Sequence, residues 1–232
     1  MTINVYWACI EDEWQLAEEP ESVAKSFYGM KLFEPNNLEM QINQCPAFKD
    51  SIKNVFGLKS LYRYEFYIDE NNLVKSDMID QEFFDKHVLI RSVEKKCFSF
   101  RQKFLFFTDA DSLEMTGNEF PFLENNNITQ RCLIFPGKFD IAKRFRAIEF
   151  AFCLKEPFDS FRIDYGEIYS YIRFHTSDKI KFQQFRITDD IIKLSQDCTN
   201  MNKSLRLRFL DNFYKHFKIK KFIIKEIKKN LI

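Results

Sequence analysis

Gly166-Glu167-Ile168-Tyr169-Ser170-Tyr171-Ile172-Arg173-Phe174-His175, then Thr176-Ser177-Asp178, then Lys179-Ile180-Lys181-Phe182-Gln183-Gln184-Phe185-Arg186, is the stretch on which the reading of this chain turns. Two segments of alternating apolar and polar residues flank a short polar break, the pattern of a β-hairpin with its loop at 176–178. In that register Ile168, Ile172, Phe174, Ile180 and Phe182 share the core face. The opposite face carries Tyr169, Tyr171, Arg173, His175, Lys179, Lys181, Gln183 and Phe185. Rings beside cations in this way stack bases and hold phosphates in sheets that bind single-stranded nucleic acid. The competing reading covers the face with a second sheet or with helices. The tyrosines are then core, and the lysines run along apolar surface to reach water.

Similar alternation recurs upstream. Residues 3–10 read as a strand buried on both faces, and residues 60–68 and 72–76 as a hairpin about Glu70-Asn71-Asn72. Cys97 to Thr108 reads as one half-buried strand with Phe98, Phe100, Gln102, Phe104 and Phe106 on one side. Ile128 to Phe135 is another strand, and Ala147 to Lys155 a third, with Ile148, Phe150, Phe152 and Leu154 inward. A further strand is expected at 38–42 and a short one at Phe161-Arg162-Ile163. Strands at this spacing without long intervening helices predict antiparallel pairing and argue against a Rossmann-type sheet.

Helices are expected at the two ends of the chain. Pro20 opens one carrying Val23, Phe27 and Met30, and Pro46 opens another through Val55, stopped by Gly57. Asp80 caps a short helix ending at His87, and Thr188 caps one from Ile191 to Cys198 that Asn200 to Asn202 interrupts before Ser204 caps the next. Leu205, Phe209, Phe213 and Phe217 recur every four residues, as do Ile219, Ile223, Ile227 and Leu231 with an offset, which predicts a break near Lys218. The fold class is therefore α+β: an antiparallel β-sandwich or jelly-roll-like barrel from about residue 58 to 187, with flanking N-terminal helices and a C-terminal helical element. Residues 1–202 form one β-rich domain and residues 203–232 a basic amphipathic tail.

Composition bounds the function classes. A chain of 232 residues, 45% hydrophobic with 28 Phe, buries a large core, and its 5 Gly nearly exclude glycine-rich phosphate loops. The net charge of +1 is uneven: residues 203–232 hold ten Lys or Arg against Asp211 and Glu226, a net +8 that leaves −7 on residues 1–202. The tail thus docks on the acidic body, lies on a membrane surface, or reaches a polyanion or an acidic protein partner. Cys9, Cys45, Cys97, Cys132, Cys153 and Cys198 form no CxxC pair or zinc knuckle, and they read as reduced thiols of a cytoplasmic protein. No apolar run reaches the ~20 residues that span a bilayer.

Candidate chemistry is sparse. His87, His175 and His216 show no HxH, HxxxH or HExxH spacing, so neither a metal site nor a cofactor is expected. Glu167 and His175 lie roughly 26 Å apart along one strand at ~3.3 Å per residue, too far to share a metal. No GxSxG motif occurs, and the paired carboxylates at Asp109/Asp111 and Asp189/Asp190 read as turns and helix starts.

The succession Phe104-Leu-Phe-Phe-Thr-Asp109, Phe150-Ala-Phe-Cys-Leu-Lys155 and Ile163-Asp-Tyr-Gly-Glu-Ile-Tyr169, after an early Cys45-Pro46, resembles uncharacterised β-rich proteins of tailed phages of marine bacteria. The likeness spans residues 40–187, and many of those relatives have Pro after the Gly-Glu where this chain has Ile168. It implies a phage or environmental source and an antiparallel β core, and it carries no reaction and no catalytic residue.

Two functions follow as expectations. The first is a non-enzymatic binding or structural protein of a phage, in the virion or the host cytoplasm. It acts through the 166–186 hairpin face and the basic tail on a nucleic acid or a protein, alone or as an oligomer. The second is a small-molecule enzyme with a pocket in the mouth of a cupin-like barrel, in which Glu167, Arg173 and His175 converge.

Overall fold

A computed structural model describes residues 1–10, 17–29, 45–68, 74–75, 80–117, 127–204 and 219–232. Met30, the strand at 38–42, the turn at Glu70 to Asn72, the stripe Leu205–Phe217 and the break near Lys218 lie outside the described residues.

The chain folds as a β-rich, sandwich-like α+β protein, and among the described residues its strands form four sheets. Sheet A has the order β12 (Ala147–Ile148), β8 (Lys103–Thr108), β1 (Thr2–Ile10), β16 (Lys179–Gln184). Sheet B runs β11 (Gly137–Asp140), β9 (Glu114–Gly117), β15 (Ile168–Phe174), β3 (Val55–Lys59), β2 (Glu21–Ser22). Sheet C is β14 (Ser160–Ile163), β4 (Tyr64–Ile68), β5 (Val74–Lys75), and sheet D is β10 (Cys132–Ile134), β13 (Ala151–Leu154), β7 (Cys97–Phe100), β6 (Val88–Ser92). All pairings are antiparallel except β1 with β16, which is parallel.

Residues from all four sheets build one aromatic core, in which Phe98, Phe100, Phe104, Phe106 and Phe152 are at most 2% exposed. The centre of sheet A, β1 and β8, is buried on both faces. Val5, Trp7 and Cys9 face that core, while Tyr6 and Ala8 face a second cluster with Leu105, Phe107, Phe145 and Phe185. Two C-terminal helices close the second cluster: α5 (Asp189–Ser204) contributes Ile191 and Cys198, and α6 (Ile219–Lys229) contributes Ile223 and Ile227. On the N-terminal side α1 (Val23–Gly29) packs on β2, β3 and α2 (Pro46–Ile52), and α3 (Gln81–His87), with Asp80 as its N-cap, leads into β6.

The structure corrects the sequence reading at several joints. Residues 166–186 are not a hairpin: β15 pairs with β3 and β9, whereas β16 pairs with β1. Residues 175–178 therefore carry the chain from sheet B to sheet A, held by Asn54 Nδ2, which donates to the carbonyls of Thr176 (2.8 Å) and Asp178 (3.0 Å). The expected single strand 97–108 breaks at Arg101–Gln102 into β7 and β8 in different sheets. There the buried Gln102 amide accepts from Leu61 N–H (3.1 Å) and donates to Lys59 O (3.1 Å), so an apparently in-phase polar residue satisfies main-chain groups at a crossover. Residues 147–155 divide likewise into β12 and β13.

Local signals also lost to their surroundings. The helix from Pro46 ends at Ile52, where Lys53 turns extended (φ −67, ψ 133) and Asn54 follows with a positive φ of 54, ahead of the stop expected at Gly57. Gly57 instead sits inside β3, where a Cβ would lie 2.6 Å from Ile168 Cδ1. Residues Asn127–Arg131 form the short helix α4 before β10, in place of one strand from Ile128. α5 passes through Asn200 to Asn202 without a break, since an Asn costs a helix under ~1 kcal/mol relative to Ala. Cys97 and Cys153 stand directly opposite each other on β7 and β13 and form a disulfide, a departure from the reading of reduced thiols. Their separation of 56 residues shows why spacing did not suggest it.

Candidate binding groove

The predicted aromatic face does not exist as a surface. Tyr169, Tyr171 and Phe185 are 1%, 2% and 0% exposed, each for a different reason. A β-bulge between Ile168 and Ser170 shifts the register and turns Tyr169 into the main core, against Phe100 and Phe150. Tyr171 shares a face of sheet B with Arg173, whose Nη2 donates to Ser51 O at the end of α2, so this side of the sheet lies under the N-terminal helices. Phe185 belongs to the cluster beneath α5 and α6.

The polar members of the set remain at the surface, divided between two adjoining depressions. Lys179 and Lys181 are exposed on β16 and line a groove of about 850 Å³ between that edge strand and the opposite wall of residues 18–25 and 53–59. Its floor includes Phe56, Ile180 and Phe182, with the rings of Phe56 and Phe182 edge-to-face at 4.8 Å. Arg173 and His175 line a smaller cleft of about 290 Å³ with Asp50, Thr176 and Ser177, and Lys53 borders both. His175 Nε2 lies 2.6 Å from Thr116 Oγ1 on the neighbouring strand β9.

Glu167 stands apart. It lies at the opposite end of β15 from His175, where its carboxylate accepts from Asp164 N–H (3.0 Å) in the turn that Gly166 makes with a φ of 77. The three polar groups of the enzyme expectation therefore do not converge: Arg173 and His175 share a cleft and Glu167 fastens a turn.

Electrostatics divide the groove in two. Lys59 bonds Glu18 (2.7 Å) and Glu21 (3.1 Å), and these carboxylates, Glu18 foremost, raise its pKa. Glu21 is held below the usual carboxylate range chiefly by the hydroxyl of Ser26, against the opposing effect of burial, with Lys59 adding to it. That end keeps a net negative charge, since Lys59 alone faces Glu18 and Glu21 and Glu19 lines the same wall. Lys25, Lys53, Lys179 and Lys181 make no ion pair among the described residues, so the rest of the rim is free cationic surface.

Lys25, Lys53 and Phe56 were not identifiable as site residues from sequence. Each sits in or beside an ordinary amphipathic segment, and only the approach of sheet B to the β16 edge collects them. In the described part of the basic tail, Ile223 and Ile227 are buried against sheet A, Lys220 donates to Ala110 O, and Lys228 pairs with Asp109 (3.6 Å). Burial lowers the pKa of Lys220. No described helix is long and apolar enough to cross a membrane, and among the described residues no three His, Cys, Asp or Glu side chains are placed to hold a metal ion. No family model, curated protein or solved structure matches this chain.

Proposed function

We propose that this protein acts by binding rather than by catalysis, and that its ligand is an extended anionic chain held in the groove beside β16. The observation that carries the reading is the set of Lys25, Lys53, Lys179 and Lys181 around an apolar floor, free of carboxylate partners among the described residues. Unpaired ammonium groups along an elongated depression attract regularly spaced negative charge, and Phe56 and Phe182 offer apolar contact beneath it. Arg173 adds a guanidinium in the adjoining cleft past Lys53, where Asp50 belongs to the same lining. In the phage setting that the sequence resemblance implies, nucleic acid and acidic protein segments both have this chemistry.

The test is fluorescence anisotropy of labelled oligothymidylate and labelled polyglutamate with the full chain at low and high salt. The wild type is expected to bind at least one of them in the micromolar range, with affinity falling steeply as salt rises. Lys179→Glu with Lys181→Glu is expected to weaken that binding about tenfold or more without changing the circular dichroism spectrum. Absence of binding to both probes at low salt overturns the reading.

A further inference from the structure

The backbone of β16 narrows the ligand class further. Lys179 N–H donates to Met1 O (3.2 Å) and Phe185 N–H to Trp7 O (3.0 Å), so the odd-numbered residues turn their main-chain groups toward β1. Ile180, Phe182 and Gln184 consequently turn theirs outward, and β16 is the last strand of sheet A. The outward carbonyl of Gln184 is taken: Ile232 N–H donates to it (3.1 Å), Arg186 N–H donates to Asn230 O (2.8 Å), and Phe185 bridges Leu231 in antiparallel fashion. Residues 230–232 thus already lie along this edge as a short added strand. Beyond them the N–H and C=O of Ile180 and Phe182 face the groove with no strand partner among the described residues.

We infer that the groove receives an acidic peptide segment as an added antiparallel strand on β16, continuing the line begun by residues 230–232. This rests on the groove being the ligand site. Three features converge on it. The first is the unfilled main-chain ladder at Ile180 and Phe182, a match for peptide N–H and C=O groups at strand spacing that a sugar-phosphate backbone does not offer. The second is sidedness. Ile180 and Phe182 point their side chains toward Phe56 and the core, whereas Lys179 and Lys181 point to the other face. An added strand therefore meets an apolar wall on one side and two ammonium groups on the other, which selects alternating apolar and acidic residues. The third is exclusion of self. A second copy of β16 would set lysine against lysine, so the charges that keep this edge from pairing with its own kind are those that favour an acidic partner.

The geometry also says which amides of the ligand matter. Residues opposite Ile180 and Phe182 form the hydrogen-bonded pairs, and opposite residues share a face. In the bound strand the apolar residues therefore turn their N–H groups to β16, and the acidic residues turn theirs to solvent. The probe is a capped, labelled peptide alternating glutamate and valine, compared with one N-methylated on the valines and one N-methylated on the glutamates. All three carry the same charge. The parent peptide is expected to bind in the micromolar range, methylation on the valines to weaken it about tenfold or more, and methylation on the glutamates to change it about twofold or less. A lysine-valine peptide is expected not to bind. If both methylated peptides bind like the parent, capture is purely electrostatic: strand addition is overturned and the groove reading stands. If oligothymidylate binds and the peptide does not, strand addition is again overturned while the groove stands. If neither probe binds, both readings fall together.

Discussion

β15 and β16 are neighbours in sequence with similar alternation, yet they do opposite work. β15 has a strand on either side and is covered on both faces, by the aromatic core and by the N-terminal helices. β16 has one strand partner along most of its length, buries Ile180 and Phe182 on one face, and leaves Lys179 and Lys181 in water. The difference comes from the four residues between them. Residues 175–178, tethered by Asn54, deliver the two arms to different sheets, so the first becomes interior and the second an edge. Alternation states which side chains share a face, but a strand's place in its sheet determines whether it stabilises the fold or is available to a ligand.

The contrast is broken most directly at Tyr171. Tyr171→Ala is expected to destabilise the protein by about 3–5 kcal/mol, because a nearly fully buried ring leaves a cavity under the helices. Urea denaturation monitored by circular dichroism measures this, and a loss below ~1 kcal/mol would mean that sheet B is open on that side after all. Next in size is Ile223→Ala, at about 2–4 kcal/mol, which asks whether α6 is part of the fold that covers the Phe185 end of sheet A. An unchanged denaturation midpoint would make α6 an appended arm.

Asp140 offers a smaller, pH-dependent test at β11, an edge of β15's own sheet. Burial alone would raise its pKa, but the Ser112 hydroxyl, the Leu113 and Ala142 amides and Lys143 together bring it below the ordinary value of 3.8. A depressed folded-state pKa means that the carboxylate's contribution is present above the unfolded value and is lost as pH falls through the folded one. Asp140→Asn should therefore cost about 2 kcal/mol at neutral pH. The difference from wild type should shrink as pH drops below 3.8, and a gap that stays constant into acid would show that charge plays no part. The smallest effect belongs to β16. Lys181→Ala is expected to leave stability within about 0.5 kcal/mol, since the side chain is solvated and unpaired among the described residues. A larger loss would assign that lysine to the fold instead of to the groove.

Burial was the most legible property in the sequence. The alternating runs correctly place Phe98, Phe100, Phe104, Phe106, Ile148, Phe150, Phe152 and Leu154 in the interior, because a period of two is a local property of an extended chain and each side chain's hydrophobicity acts on its own. Ile223 and Ile227, singled out by four-residue spacing, are likewise the buried residues of α6. The local antiparallel pairing of the 60–68 and 72–76 segments was legible and is present between β4 and β5, but long-range pairing was not. Whether β16 joins β15 or β1 depends on hydrogen bonds between segments more than a hundred residues apart, and these leave no local trace. The bulge that turns Tyr169 inward, the amide of Gln102 that marks a crossover, and the opposition of Cys97 to Cys153 are equally non-local. The groove depends on all of this, since it is the space left where the edge of one sheet approaches the wall of another. The sequence by itself determined which residues seek the interior and which stay in water. Only the tertiary structure decided that Lys179 and Lys181 would meet Lys53 and Lys25 across an open strand edge, because that meeting is set by how whole sheets pack.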